Sequence, residues 1–179
     1  MRSTLPALAE ELQTTDRTLR RAVSQGLVRA TRPSPRTLEL SAAERVYLRA
    51  SWPTLARLRS ALRTEPGVGL AVLFGSRARG DQRQESDVDL VVALADSSRR
   101  YQLTARLEES LGLPVHVVLL DDARRAPLLL EQVVREGRVV VDRALVWPDI
   151  TARRDTIGRA AAREQRRIAD EFNTAFGTA

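Results

Sequence analysis

The stretch Gly75-Ser76-Arg77-Ala78-Arg79-Gly80-Asp81-Gln82-Arg83-Gln84-Glu85-Ser86-Asp87-Val88-Asp89-Leu90 decides how the chain is read, because it interrupts two apolar runs with a bend and then a pair of carboxylates. Leu70 to Phe74 before it reads as a buried strand, and Asp87 to Leu94 as a second. Gly75 lets the backbone turn sharply at a strand end and approach a ligand closely, and Ser76 is placed to cap a short helix. Free N–H groups at such a helix start can hold phosphate oxygens. Side chains alternate along a strand, so Asp87 and Asp89 share one face while Val88 and Leu90 enter the core. Two adjacent carboxylates repel unless a cation lies between them. An oxygen-only set favours Mg²⁺ or Mn²⁺, with nucleotide phosphates completing the octahedron. Asp-x-Asp alone also occurs as a solvated strand edge, so the weight rests on the whole arrangement of strand, Gly-Ser, ten residues and Asp-x-Asp.

Outward from this stretch, strands and helices alternate. Arg100 to Leu111 carries Leu103, Leu107 and Leu111 at helical spacing and stops at Gly112. Pro114 to Leu120 is a third strand, Pro127 to Glu136 a helix closed by Gly137, and Arg138 to Val141 a last strand. A C-terminal helix over Ile157 to Phe176 places Ile157, Ala161, Ile168, Phe172 and Phe176 on one apolar stripe, expected to pack on its own chain.

Toward the N-terminus the pattern changes. Leu5 to Leu12 reads as a short amphipathic helix, and Asp16 to Ser24 as a second, capped by the threonines of Gln13-Thr14-Thr15. Leu19 and Val23 face inward; Arg17, Arg20 and Arg21 remain outside. Val28 to Thr31 and Thr37 to Leu40, joined across Arg32 and Arg36, form a hairpin, and the whole suggests a winged helix-turn-helix. Ser41-Ala42-Ala43-Glu44 is a capping box that opens a helix toward Arg63, expected to kink or restart at Trp52-Pro53. The expected division is 1–40 for the DNA-binding unit, 41–65 for a connecting helix, 66–147 for the α/β unit and 148–179 for the C-terminal helix.

Composition narrows the chemistry. Cysteine is absent and histidine occurs once, which removes disulfides and thiolate metal sites. All 29 basic residues are arginine, so a Walker A loop and Schiff-base lysine chemistry are excluded. The formal charge of +6 falls in residues 1–65, where 12 arginines face six acids; the remainder carries 17 of each sign. Residues 15–36 hold six arginines and one acid, an electrostatic footprint for double-stranded DNA through Arg17, Arg20, Arg21, Arg32 and Arg36, or else a solvated face that docks a protein. No apolar run reaches the roughly 18 to 20 residues of a membrane span, and acidic Glu10 and Glu11 stand where a signal core would lie, so a soluble cytoplasmic protein is expected.

The pattern GSRARG…SDVDL resembles the nucleotidyltransferase signature of the DNA polymerase β superfamily, and is particularly similar to its minimal nucleotidyltransferase branch. Val115-His116-Val117-Val118, Ala126-Pro127 and Val134-Arg135-Glu136-Gly137-Arg138 extend the likeness over roughly residues 66 to 143. The resemblance implies a mixed sheet flanked by helices on one side, and Mg²⁺-dependent transfer of a nucleoside monophosphate from ATP or another NTP to a protein or RNA hydroxyl. It also implies that Gly75 and Ser76 hold the triphosphate and that Asp87 and Asp89 ligate the metal. Arg77 and Arg79 either add charge at the leaving group or are solvated surface residues.

One position departs from the family. A third carboxylate is expected on the neighbouring strand, and His116 stands there as a poorer metal partner, a general base or an inert strand residue. Asp121 has the wrong alternation and Asp122 lies too far along to substitute. Two functions follow: an enzyme of a toxin–antitoxin-like system with a partner encoded nearby, or a DNA-binding, antitoxin-type regulator whose weakened site senses NTP or serves as a partner-binding scaffold.

Overall fold

The computed structural model describes residues 4–34, 37–83 and 85–176. Helices α1 (Leu5–Glu11) and α2 (Asp16–Ser24) lead into an antiparallel pair, β1 (Thr31–Ser34) and β2 (Thr37–Glu39). The long helix α3 (Ala42–Arg63) then enters the α/β unit. That unit contains β3 (Val68–Phe74), α4 (Ser76–Arg79), β4 (Val88–Leu94), α5 (Arg100–Leu111), β5 (Val115–Leu119), α6 (Leu120–Arg125), α7 (Pro127–Glu136) and β6 (Arg138–Asp142). Helices α8 (Trp147–Ala152) and α9 (Arg154–Phe176) follow.

The sheet has the order β5-β4-β3-β6. Strand β3 is antiparallel to both β4 and β6, and β4 runs parallel to β5 through the α5 crossover, so the sheet is mixed. Its β3 residues Leu70 to Phe74 are buried without alternation, the mark of a strand covered on both faces. Leu73, Leu90 and Val92 pack toward Leu55 and Leu58 of α3 and Leu103 and Leu107 of α5. Leu70, Val72, Phe74 and Val91 pack toward Val133 and Val134 of α7 and Ile150 of α8. Helices therefore flank both faces rather than one. The cluster on the α3 side is continuous from Leu5, Leu8 and Leu19 through Leu48 to Val140, so α1 and α2 share a core with the sheet.

Several local expectations are corrected. Strand β1 begins at Thr31, later than the Val28 start read from β-propensity, because Val28 is buried in the core and Pro33 is tolerated in a two-stranded edge pair. Helix α3 passes through Pro53 without restarting. The lost backbone bond there is outweighed by the buried stripe Leu48, Trp52, Leu55, Leu58 and Leu62. Strand β5 ends at Leu119, and Asp121 and Asp122 sit on α6 beside Arg124 and Arg125. The α9 stripe is covered at Ile157 and Ala161, by packing against α7, but Ile168 and Phe172 are exposed. Phe176 lies outside the described side chains. No described helix is long and apolar enough to cross a membrane.

Candidate active site

Register brings the acidic pair to the glycine bend. Asp89 pairs with Phe74 across β3 and β4, and with His116 across β4 and β5. Gly75 follows Phe74 with φ 72° and ψ −158°, a region that penalises any side chain. A Cβ there would lie 2.5 Å from Oδ2 of Asp89, so a side chain at this position would be strained in its backbone and would also push the Asp89 carboxylate out of place. Gly75 occupies the cap position of α4 and Ser76 is its first helical residue, with no side-chain cap bond; the expected capping by Ser76 is corrected accordingly. The Gly75 carbonyl accepts from Ala78 and Arg79, while the N–H groups of Ser76 and Arg77 belong to the first turn, where a helix supplies no internal acceptor.

Asp87 is exposed at the residue before β4, and Asp89 is partly buried. Desolvation lifts the Asp89 carboxyl above its usual range; His116 pulls it down, and the Asp87 charge adds to the rise. A carboxylate held this way favours a bound cation. His116 Nδ1 lies 3.5 Å from Oδ1 of Asp89 on an exposed ring. Among the described residues no three His, Cys, Asp or Glu side chains form a metal-holding group. Two carboxylates are nevertheless a fitting donor set for Mg²⁺, which keeps waters and takes phosphate oxygens as its other ligands.

The arginines near the bend have partners. Nε of Arg77 donates to the carbonyls of Ser86 (2.8 Å) and Asp87 (3.2 Å), tying α4 to the segment that carries the acid pair. Arg79 donates to Asp81 and Glu136, each at 3.0 Å. Of the N-terminal arginines, Arg17, Arg20, Arg21 and Arg32 are exposed, with Arg20 bound to Asp16 at 2.6 Å. Arg36 lies outside the described residues.

Sequence reasoning assigned no role to Glu136 or Arg138. Glu136 is buried, and its Oε1 accepts from Gly75 N–H (3.0 Å), Arg79 (3.0 Å) and Gln132 (2.6 Å). The Gly75 N–H is thereby committed within the protein. Arg138 is 2% exposed; it pairs with both oxygens of Glu44 and donates to the carbonyls of Leu27 and Ala78. Its guanidinium lies 3.6 Å from the centroid of the Tyr47 ring. The available signal was an acid and an arginine flanking Gly137 at an apolar helix-to-strand junction. Gly137 itself is fixed by space, because a Cβ would meet the Val133 carbonyl and approach Val72 Cγ1 to 2.7 Å.

The sheet, the bend and the acid pair define a nucleotidyltransferase fold. The family profile described as polymerase beta, nucleotidyltransferase matches residues 56–144. A Methanocaldococcus jannaschii protein provisionally named as a protein adenylyltransferase is 34% identical over 74 residues, covering 40% of this chain and 77% of that relative. The protein adenylyltransferase MntA of Shewanella oneidensis is 36% identical over 76 residues, 41% of this chain and 53% of MntA. The chain thus spans about half the length of that curated relative. A solved structure described as a toxin–antitoxin with AMP-PNP superposes with TM-score 0.54 and 26% identity, covering 66% of this chain and 97% of its own. The chain belongs to the polymerase β nucleotidyltransferase family.

Proposed function

We propose that the protein transfers a nucleoside monophosphate, AMP from ATP being the simplest case, to a hydroxyl of a protein or RNA acceptor in a toxin–antitoxin-like pair. The observation that carries this reading is the register that sets Asp89 against Gly75, with Asp87 two residues away on the same segment. The N–H groups of Ser76 and Arg77 hold the triphosphate, while Asp87 and Asp89 hold Mg²⁺ or Mn²⁺. Bound there, the metal would neutralise phosphate charge so that the acceptor hydroxyl could attack the α-phosphorus, with pyrophosphate as the leaving group. With Nδ1 turned toward Asp89, Nε2 of His116 is the nitrogen left to accept the acceptor's proton. Arg77 and Arg79 contribute field near the leaving group while remaining bound to the loop and to Glu136. A protein acceptor is supported by the names of the two relatives, and a partner encoded nearby by the toxin–antitoxin neighbour.

Incubating the chain with labelled ATP, Mg²⁺, the product of its genomic neighbour and, separately, RNA tests the reading; no label on either acceptor under conditions where the chain binds ATP would remove it. In that assay His116→Asp should raise transfer about tenfold by restoring a third negative charge to the site, near 1.4 kcal/mol of transition-state stabilisation. An unchanged rate would count against His116 as the third-carboxylate position, and a slower rate would mean that the imidazole is needed as the base and that the added charge does not compensate for it.

A second reading is favoured by the exposed arginines of α2 and β1. Here residues 1–40 act as a winged helix-turn-helix that meets duplex DNA, and the nucleotide site serves as an NTP sensor or partner scaffold. Binding through about four phosphates should weaken roughly a hundredfold between 50 and 200 mM salt. Fluorescence anisotropy with a labelled duplex measures this; no binding at the lower salt removes the DNA reading and leaves a protein-docking face.

A further inference from the structure

The short helix that precedes the Asp87 segment is held both from within the α/β unit, by β6, and from α3 before it. Helix α4 has four residues, too few to persist by its own hydrogen bonds. Its carbonyls are gripped by two buried side chains: the Tyr47 hydroxyl of α3 donates to Arg77 O at 3.0 Å, and Arg138 Nε of β6 donates to Ala78 O at 2.7 Å. Burial holds the Tyr47 phenol above its ordinary range, so it remains a donor across neutral pH. The Tyr47 ring also closes the C-terminal end of α4, where a Cβ on Gly80 would lie 2.8 Å from Cδ2 of the ring. From α4, Arg77 Nε reaches the carbonyls of Ser86 and Asp87. A line of three hydrogen-bonded elements thus runs from α3 to the acid pair.

We infer that Tyr47 is a positioning residue for the metal site: through the Arg77 carbonyl it fixes the guanidinium that holds the Ser86–Asp87 backbone, and so sets where the Asp87 carboxylate stands. The inference rests on reading Asp87 and Asp89 as the cation pair. It makes α3, which lies wholly N-terminal to the Gly75–Leu90 signature, a working part of the site rather than a tether. A carboxylate displaced by even a fraction of an ångström loses its share of a small, geometrically demanding octahedral ion. Asp89 lies within a paired strand and does not depend on this line.

The test uses the full chain and Mn²⁺ with a non-hydrolysable ATP analogue, read by electron paramagnetic resonance as bound against free ion. Tyr47→Phe keeps the ring under Arg138 and removes only the hydroxyl; it should weaken apparent Mn²⁺ affinity about fivefold, the equivalent of one hydrogen bond. The metal-free melting temperature should stay within about 3 °C of wild type, since the ring packing is preserved. Arg77→Met should weaken Mn²⁺ at least as much, and the double variant should be no weaker than Arg77→Met, because both act along one line. Wild-type affinity in Tyr47→Phe would overturn the inference. Multiplying losses in the double variant would overturn the route through Arg77. If wild type itself fails to retain Mn²⁺, the reading of Asp87 and Asp89 falls, and this inference with it.

Discussion

Asp89→Asn is expected to slow nucleotidyl transfer about a thousandfold, near 4 kcal/mol of transition-state stabilisation, without lowering the stability of the metal-free protein. Both halves follow from the same surroundings. Asp89 is flanked by Phe74 and His116 in register and faces Gly75, and the other carboxylate at the bend, Glu136, is already committed to Gly75 N–H, Arg79 and Gln132. Its carboxyl is raised by desolvation, which means that the folded chain binds that proton more tightly than the unfolded chain does. At neutral pH the charged form therefore weighs against folding when no cation is bound. A neutral amide of the same shape removes that penalty, so the metal-free melting temperature should hold or rise while activity collapses, the exchange of stability for function expected of an active-site charge. Adding Asp87→Asn should take transfer to background and abolish Mg²⁺-dependent NTP binding. Labelled-ATP transfer and thermal melting on the same preparations check both halves; a fall in melting temperature that matches the loss of activity would assign Asp89 a structural role instead.

The sheet and the acid pair were legible because their signals are local. Apolar runs bounded by Gly75, Gly112 and Gly137 mark where strands and helices stop, and period-two alternation places Asp87 and Asp89. The neighbour relation between Asp89 and His116 was legible too, through the family's third position. What escaped depends on partners distant in sequence. Glu44 was read as the reciprocal half of a capping box; Ser41 does cap Glu44 N–H at 3.0 Å, but the Glu44 side chain turns inward to Arg29 N and to Arg138, 94 residues away. Arg77 and Arg79 were offered to phosphate on charge alone, whereas the acceptors that occupy them, Ser86 O and Glu136, become visible only once the loop and α7 are folded back. The two-sided covering of the sheet was hidden for a similar reason. The α3 helix, assigned as a connector, supplies one of its layers.

Glu44→Ala should destabilise the protein by about 3–5 kcal/mol, the largest stability loss expected from a single exposed-in-sequence but buried-in-space charge. Arg138 is 2% exposed and Glu44 is 6% exposed, and the pair is bidentate, with contacts of 2.6 and 2.9 Å. Removing Glu44 leaves the Arg138 guanidinium buried with two carbonyls and the Tyr47 ring as its company, and also strands the backbone N–H of Arg29. Replacing both residues, as Glu44→Ala with Arg138→Met, removes the uncompensated cation together with its partner. The double variant should therefore be less destabilised than the sum of the single variants, by roughly 1–3 kcal/mol of coupling. Urea unfolding at constant m-value measures this directly. Additive losses would mean that the ion pair is not a unit and that Arg138 holds α4, β6 and the N-terminal elements together through its carbonyl contacts alone. Coupling of the expected size would mean that one buried charge pair joins the α1–α3 segment to β6 and the α4 bend, so that neither part can loosen without the other.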